Sequence, residues 1–403
     1  MRETAEYSIR DSVLFRKQLL LWAGSNENIA FFNSNNYSKK YDSQTAYHTF
    51  ECLAGIGKMQ EIVSKNDNGF SKMKSFHRRY NDWLFGYFTY DMKNFVEKLQ
   101  SKNPDRLHFP EYHFYRPELV FIIGDRAVRI LYYTKYHSKK EITSVFSRIC
   151  DTDIPVTPMP NVLKVRQRID RQEYIETVRQ LKQHIQRGDI YEMNFCQEFY
   201  VPAAQIDPLY TYFNLVDVSP TPFSCYYKLG DKYLLSASPE RFLKKNGNKI
   251  ISQPIKGTVA RGGTPDEDLQ MKYRLYNDVK ERAENVMIVD LVRNDLSQTA
   301  KKGTVKVEEL FGIYSFMQVH QMISTVVSEL EECFHFADCL KKAFPMGSMT
   351  GAPKIRAMEL IEQYEKTKRG LYSGAVGYIT PKGDFDFNVV IRSILFNASE
   401  SYL

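Results

Sequence analysis

Ser252-Gln253-Pro254-Ile255-Lys256-Gly257-Thr258 sets a lysine between a proline that fixes its own backbone angle and a glycine that lets other groups come close. The run 249–255 reads as a strand, so the lysine stands at a strand end. Short strands are predicted before it at 225–228 and 233–237, and the second runs into Ser236-Ala237-Ser238-Pro239-Glu240-Arg241-Phe242, which ends on a glutamate. After it, Thr264-Pro265-Asp266-Glu267 predicts a helix start, with Thr264 as the cap, proline in the first turn and Glu267 closing a capping box. Before them lies a helix with Tyr174, Val178, Leu181 and Ile185 on one stripe, ended by Gly188, and a strand at 191–201. Further strand-like runs follow Gly312 and end at 385–395. Strands and helices without a run of βαβ units make the fold class α+β.

The first 160 residues also read as mixed strand and helix, with strands at Trp83-Leu84-Phe85-Gly86-Tyr87-Phe88 and Leu119-Val120-Phe121-Ile122-Ile123. The stretch 151–160 holds three prolines, and a boundary is drawn there: 1–160 as an N-terminal half that completes the sheet, 161–403 as the catalytic domain. The 403 residues contain no apolar run that could span a bilayer, so no membrane is expected. The charged N-terminus carries no secretory signal, so a soluble, cytoplasmic protein is expected. The six cysteines are scattered without metal-ligand spacing and read as reduced thiols. A net charge of +7 is dispersed among acidic residues, which argues against nucleic acid and leaves part of the excess for an anionic substrate.

Three more stretches carry chemistry. Glu281, Glu284, Ile288, Leu291 and Asp295 recur at helical intervals, so the two glutamates can share one face. Phe344-Pro345-Met346-Gly347-Ser348-Met349-Thr350-Gly351-Ala352-Pro353-Lys354 is a glycine-punctuated loop running into a helix, where backbone amides can meet an anion. It is not a nucleotide P-loop: Gly351 is followed by Ala352-Pro353, and Lys354 comes one place too late. Ser324-Thr325, Gly374-Ala375-Val376-Gly377-Tyr378 and Asn388-Val389-Val390-Ile391-Arg392-Ser393 add a hydroxyl, a tyrosine and an arginine whose planar fork suits a carboxylate.

From Arg166 onward, these motifs in this order resemble the chorismate-utilising enzymes of the anthranilate synthase component I type. Pro254 to Thr258 resembles the Pro-Ile-Lys-Gly-Thr signature of the aminodeoxychorismate synthase component I branch; anthranilate synthases carry alanine at the lysine's place. The resemblance implies large, mostly antiparallel sheets flanked by helices. It makes Lys256 a covalent nucleophile and Glu240 a general acid and base. Glu284, and less directly Glu281, would ligate Mg²⁺. Gly347, Ser348, Met349, Thr350, Gly351 and Lys354 would border the chorismate carboxylates, and Thr325, Tyr378 and Arg392 would contact substrate. The implied reaction joins ammonia, supplied by a glutamine amidotransferase subunit in a heterodimer, to chorismate. The product, 4-amino-4-deoxychorismate, serves 4-aminobenzoate and folate synthesis through a separate lyase.

Three departures qualify the resemblance. Gln321 stands where many relatives have histidine. Glu192 stands where isochorismate-forming relatives carry a water-activating lysine, which disfavours water as nucleophile. The chain ends at Leu403, whereas relatives continue through a glycine-rich strand and a helix bearing a second magnesium-ligating glutamate. An anthranilate or isochorismate synthase, and a chorismate-fold binding protein without turnover, stand as the alternatives. A nucleophilic Lys256 would further require its basicity to be depressed by burial or a neighbouring cation.

Overall fold

The computed structural model describes residues 2–37, 47–65, 67–155 and 162–403. Its backbone is organised by one sheet of sixteen strands, whose paired neighbours all run antiparallel. The main path begins with Ile255–Ala260, Val319–Glu329, Lys249–Gln253, Arg241–Asn246, Phe385–Val389 and Ala375–Ile379. It passes through Leu84–Phe88, Tyr112–Ile123, Cys52–Val63 and Asn28–Asn33, then returns to Phe223–Leu229, Lys232–Ser238 and Ser393–Asn397. Four strands from the first half of the chain thus lie in the middle, between strands of the second half on both sides. The boundary drawn at 160/161 lies outside the described residues.

Leu84–Phe88 shows why the N-terminal strands sit centrally. Its side chains alternate by face, and both faces are apolar: Leu84 and Phe88 join one core cluster, while Phe85 and Tyr87 join another. A strand at an edge or on a solvated face would leave one of these sets in water. The second cluster is largely aromatic and draws Ala30, Leu53, Tyr115, Tyr227 and Tyr378 from strands across the sheet. The first packs the sheet against the helices Val279–Ser297 and Phe336–Ala343. Residues 249–255 do not form one strand. Pro254 has no N–H to donate, and the strand breaks there into Lys249–Gln253 and Ile255–Ala260, which pair with successive parts of Val319–Glu329.

The helix expected around Tyr174 spans Arg171–Arg187, and Gly188 caps it at φ 83°. Its stripe is only partly covered: Leu181 is buried, but Tyr174 and Ile185 are exposed. The Thr264–Glu267 capping box is present on the helix Pro265–Asn277. The strand expected at 191–201 is reduced to Glu192–Met193 and Phe199–Tyr200, each paired with a two-residue partner away from the main sheet. Between them the segment is tied by side chains: Asn194 Nδ2 donates to the Ser348 carbonyl, and Glu365 accepts from the Cys196 N–H. Among the described residues, no helix is long and apolar enough to cross a membrane.

Candidate active site

Lys256 follows the Pro254 break in a strand that is irregular between Ile255 and Thr258. Gly257 supplies the irregularity, with φ +104°, and a Cβ there would sit 3.1 Å from Met322 Cβ and 3.3 Å from a Glu281 carboxylate oxygen. The Lys256 backbone is held from below: Asn285 Nδ2 donates to its carbonyl at 3.2 Å, and the Ser324 hydroxyl donates to Asn285 Oδ1 at 2.6 Å. The Lys256 ammonium donates to Glu192 Oε1 and lies 3.9 Å from Glu284 Oε2. The charges beside the amine are thus two carboxylates.

Glu240 sits at the mouth of the same strand cluster and is only 5% exposed. Burial pushes its carboxyl up to about 7. The opposing pulls come from the Ser348 hydroxyl, the Ile255 N–H and the charges of Lys256 and Arg392. Ser348 donates to Glu240 Oε1 at 2.6 Å. A carboxyl near 7 is divided between acid and base at neutral pH, as proton transfer to a leaving hydroxyl and back requires. Arg392 is exposed, has φ 49°, and bears on Glu240 by charge. Among the described residues its guanidinium makes no hydrogen bond or ion pair, so it is available to a carboxylate ligand.

The helix Val279–Ser297 begins at Asp278, whose side chain accepts from the Glu281 N–H. Glu281 and Glu284 share the face toward Lys256, as the spacing predicted. Lys280 stands against both, 3.2 Å from Glu281 Oε1 and 2.8 Å from Glu284 Oε1. Among the described residues, no group of three or more metal-capable side chains is gathered. Two hard oxygen donors already holding a cationic group fit Mg²⁺, which uses one or two protein carboxylates and completes its shell with water and substrate oxygens. One Glu192 oxygen, Oε2, is buried without a hydrogen-bond partner.

The loop 347–354 divides its residues between substrate side and scaffold. Ser348 faces Glu240. Gly347 and Met349 are buried, Gly347 beside Leu291 and Met349 in the main core. The buried Thr350 hydroxyl donates to the Met346 carbonyl at 3.0 Å, so it closes the loop upon itself. Gly351, at φ +154°, pairs with Met193; a Cβ there would fall 2.2 Å from the Glu192 carbonyl. Lys354, expected to add charge for substrate, is engaged by Asp295 at 2.6 Å and ties the loop to the Val279–Ser297 helix. Burial raises the Asp295 carboxyl to about 6 even so.

Two expected contacts lie elsewhere. Strand alternation separates Ser324 from Thr325: Ser324 faces Asn285, whereas Thr325 accepts from Gln253 Nε2 at 3.2 Å. Gln253 in turn accepts from Arg241, which forks onto Asp386. Tyr378 points to the aromatic core, with ring centroids 5.6 Å from Phe50, 6.1 Å from Phe32 and 6.2 Å from Trp83. The sequence reading overlooked Asn285, Asn194 and the buried Arg369, which binds Glu365 and the carbonyls of Met349 and Asn194. Arg369 lies between the loop and the Gly374 motif, donating to the Met349 carbonyl and the Ser373 hydroxyl, and no local sequence pattern signalled it.

The pattern of the chorismate binding enzyme family matches residues 19–403. The chain belongs to that family. As a member it is a chorismate-utilising enzyme, and the match begins well before Arg166, so the N-terminal strands share in it. The chain is 31% identical over 373 residues to anthranilate synthase component 1 of Aquifex aeolicus (strain VF5), covering 88% of this chain and 74% of that protein. It is 41% identical over 224 residues to aminodeoxychorismate synthase component 1 of Escherichia coli (strain K12), covering 56% of this chain and about half, 49%, of that one. The structure of anthranilate synthase component I from Streptococcus pneumoniae TIGR4 has a TM-score of 0.75 at 23% identity, covering 91% of this chain and 89% of its own. That likeness establishes the fold, α+β on a large antiparallel sheet.

Proposed function

We propose that the chain is the chorismate-aminating component of an aminodeoxychorismate synthase, making 4-amino-4-deoxychorismate from chorismate and ammonia. The observation that carries this reading is the convergence of the Lys256 amine with the buried Glu240 carboxyl, whose raised proton affinity suits it to protonate a hydroxyl. Lys256 first gives up its proton, and Glu192, bonded to it, is the acceptor within reach. The neutral amine adds to ring carbon C2 while the C4 hydroxyl departs as water with a proton from Glu240, leaving a secondary ammonium link to the enzyme. Ammonia then attacks C4 and expels the lysine as a free amine. Glu284 and Glu281 are the residues that would hold Mg²⁺, which when bound supplies positive charge for the substrate's carboxylate. Arg392 and the Ser348 side of the loop complete the anion's surroundings. Ammonia reaches the site from a glutamine amidotransferase subunit, as the resemblance to the aminodeoxychorismate branch implies.

Anthranilate synthesis is the competing reading, favoured by the long match to the Aquifex protein. Lys256 separates the two, because the anthranilate branch resembled in the sequence carries alanine there. Replacing Lys256 by alanine is expected to reduce C4 amination at least about a thousandfold while the protein stays folded. Undiminished aminodeoxychorismate in a mass-spectrometric assay of that variant would remove the lysine from the chemistry.

A further inference from the structure

Glu192, Lys256, Glu284, Lys280 and Glu281 form an alternating row of charges across the front of the site. Lys256 joins the first two carboxylates; Lys280 joins the last two. Glu284 is thereby shared, one oxygen facing each lysine. The two lysines differ in freedom: the Lys256 side chain is 21% exposed, whereas that of Lys280 is 70% exposed. Among the described residues, only the two glutamates hold the Lys280 ammonium, and its four-carbon stem lets it swing into water.

We propose that Lys280 is a tethered counter-ion that occupies the Glu281–Glu284 pair when no metal is there and must be displaced for a divalent cation to enter. The inference rests on the reading of these glutamates as metal ligands and adds a competitor to it. The physical argument is charge balance. Two carboxylates on one helical turn repel each other, and an ammonium between them relieves that repulsion. A divalent ion makes the same contacts with twice the charge, so the two cations exclude each other at the carboxylate oxygens. Because Lys280 is largely hydrated, its hold is weak and reversible. The device protects the glutamate pair from its own repulsion without closing the site to metal.

Manganese binding to the full chain, measured from the paramagnetic resonance signal of free Mn²⁺, tests this without relying on turnover. Lys280→Met is expected to tighten binding roughly three- to tenfold, by removing both the competitor and its repulsion of the incoming ion. Lys280→Arg, which keeps the charge, is expected to bind like the parent. Glu284→Gln is expected to weaken binding at least about tenfold. If Glu284→Gln weakens binding while Lys280→Met stays within twofold of the parent or binds less well, the competitor role is overturned and the metal reading stands. If the parent binds no Mn²⁺, or Glu284→Gln leaves binding unchanged, both fall together.

Discussion

Glu240 is the residue whose environment makes the sharpest demand. Its folded carboxyl titrates near 7, above its ordinary 4.5, because burial disfavours the anion. The fold therefore binds the acid form more tightly than the unfolded chain does. That contribution to stability is complete below pH 4.5 and is lost as pH rises to 7 and beyond. Compared with Glu240→Gln, the parent should lose thermal stability between pH 5 and 8; equal melting curves at both pH values would contradict the assignment. Activity should fall on the alkaline side near the same value. Ser348 donates to the anion and lowers the titration point, so Ser348→Ala should move the alkaline limb of kcat/KM upward, and a downward shift would count against it. Lys256 and Glu240 were readable as sequence motifs because each is fixed by its immediate neighbours. The Lys256–Glu192 pair was not, since 64 positions separate them and Glu192 is presented by a two-residue strand.

At the scale of elements, the loop 347–354 is held more firmly than its glycines suggest. Lys354 and Asp295 join it to the Val279–Ser297 helix with little exposure on either side, 16% and 7%. Breaking such a pair from one side strands the other group, so Lys354→Met should cost roughly 3 kcal/mol, read as a lower denaturant midpoint. An unchanged midpoint would show the pair to be dispensable. Gly351→Ala drives a methyl into the Glu192 carbonyl, so it should disturb the residue that grips Lys256 and lower kcat by about tenfold or more. Wild-type kcat in that variant would show that the loop yields without consequence. The Thr264–Glu267 helix start was legible because a capping box is a local signal. Residues 191–201 were misread because alternating side chains also suit an extended segment tied down by Asn194 and Cys196 rather than by a sheet. Thr325 and Tyr378 were assigned by motif, and strand alternation placed them on the faces away from Lys256.

For the molecule as a whole, the interleaving of strands has a thermodynamic consequence. The central strands Leu84–Phe88 and Asn28–Asn33 are paired on both sides, one neighbour of each belonging to the second half of the chain. Neither half can bury its strand faces alone, so unfolding should be a single calorimetric transition; two separated transitions would contradict a shared core. The α+β class was legible from strand and helix periodicities. The interleaving was not, because no local pattern says that residue 86 pairs with residue 377. This architecture brings Lys256 from a strand, Glu240 from the connection between two strands and the Glu281–Glu284 pair from a helix to one place, and chorismate chemistry at that place is the central claim. Its most direct test is mass spectrometry of the product formed from chorismate, ammonium and Mg²⁺. The expected product is 4-amino-4-deoxychorismate, and anthranilate or isochorismate as the main product would contradict the account.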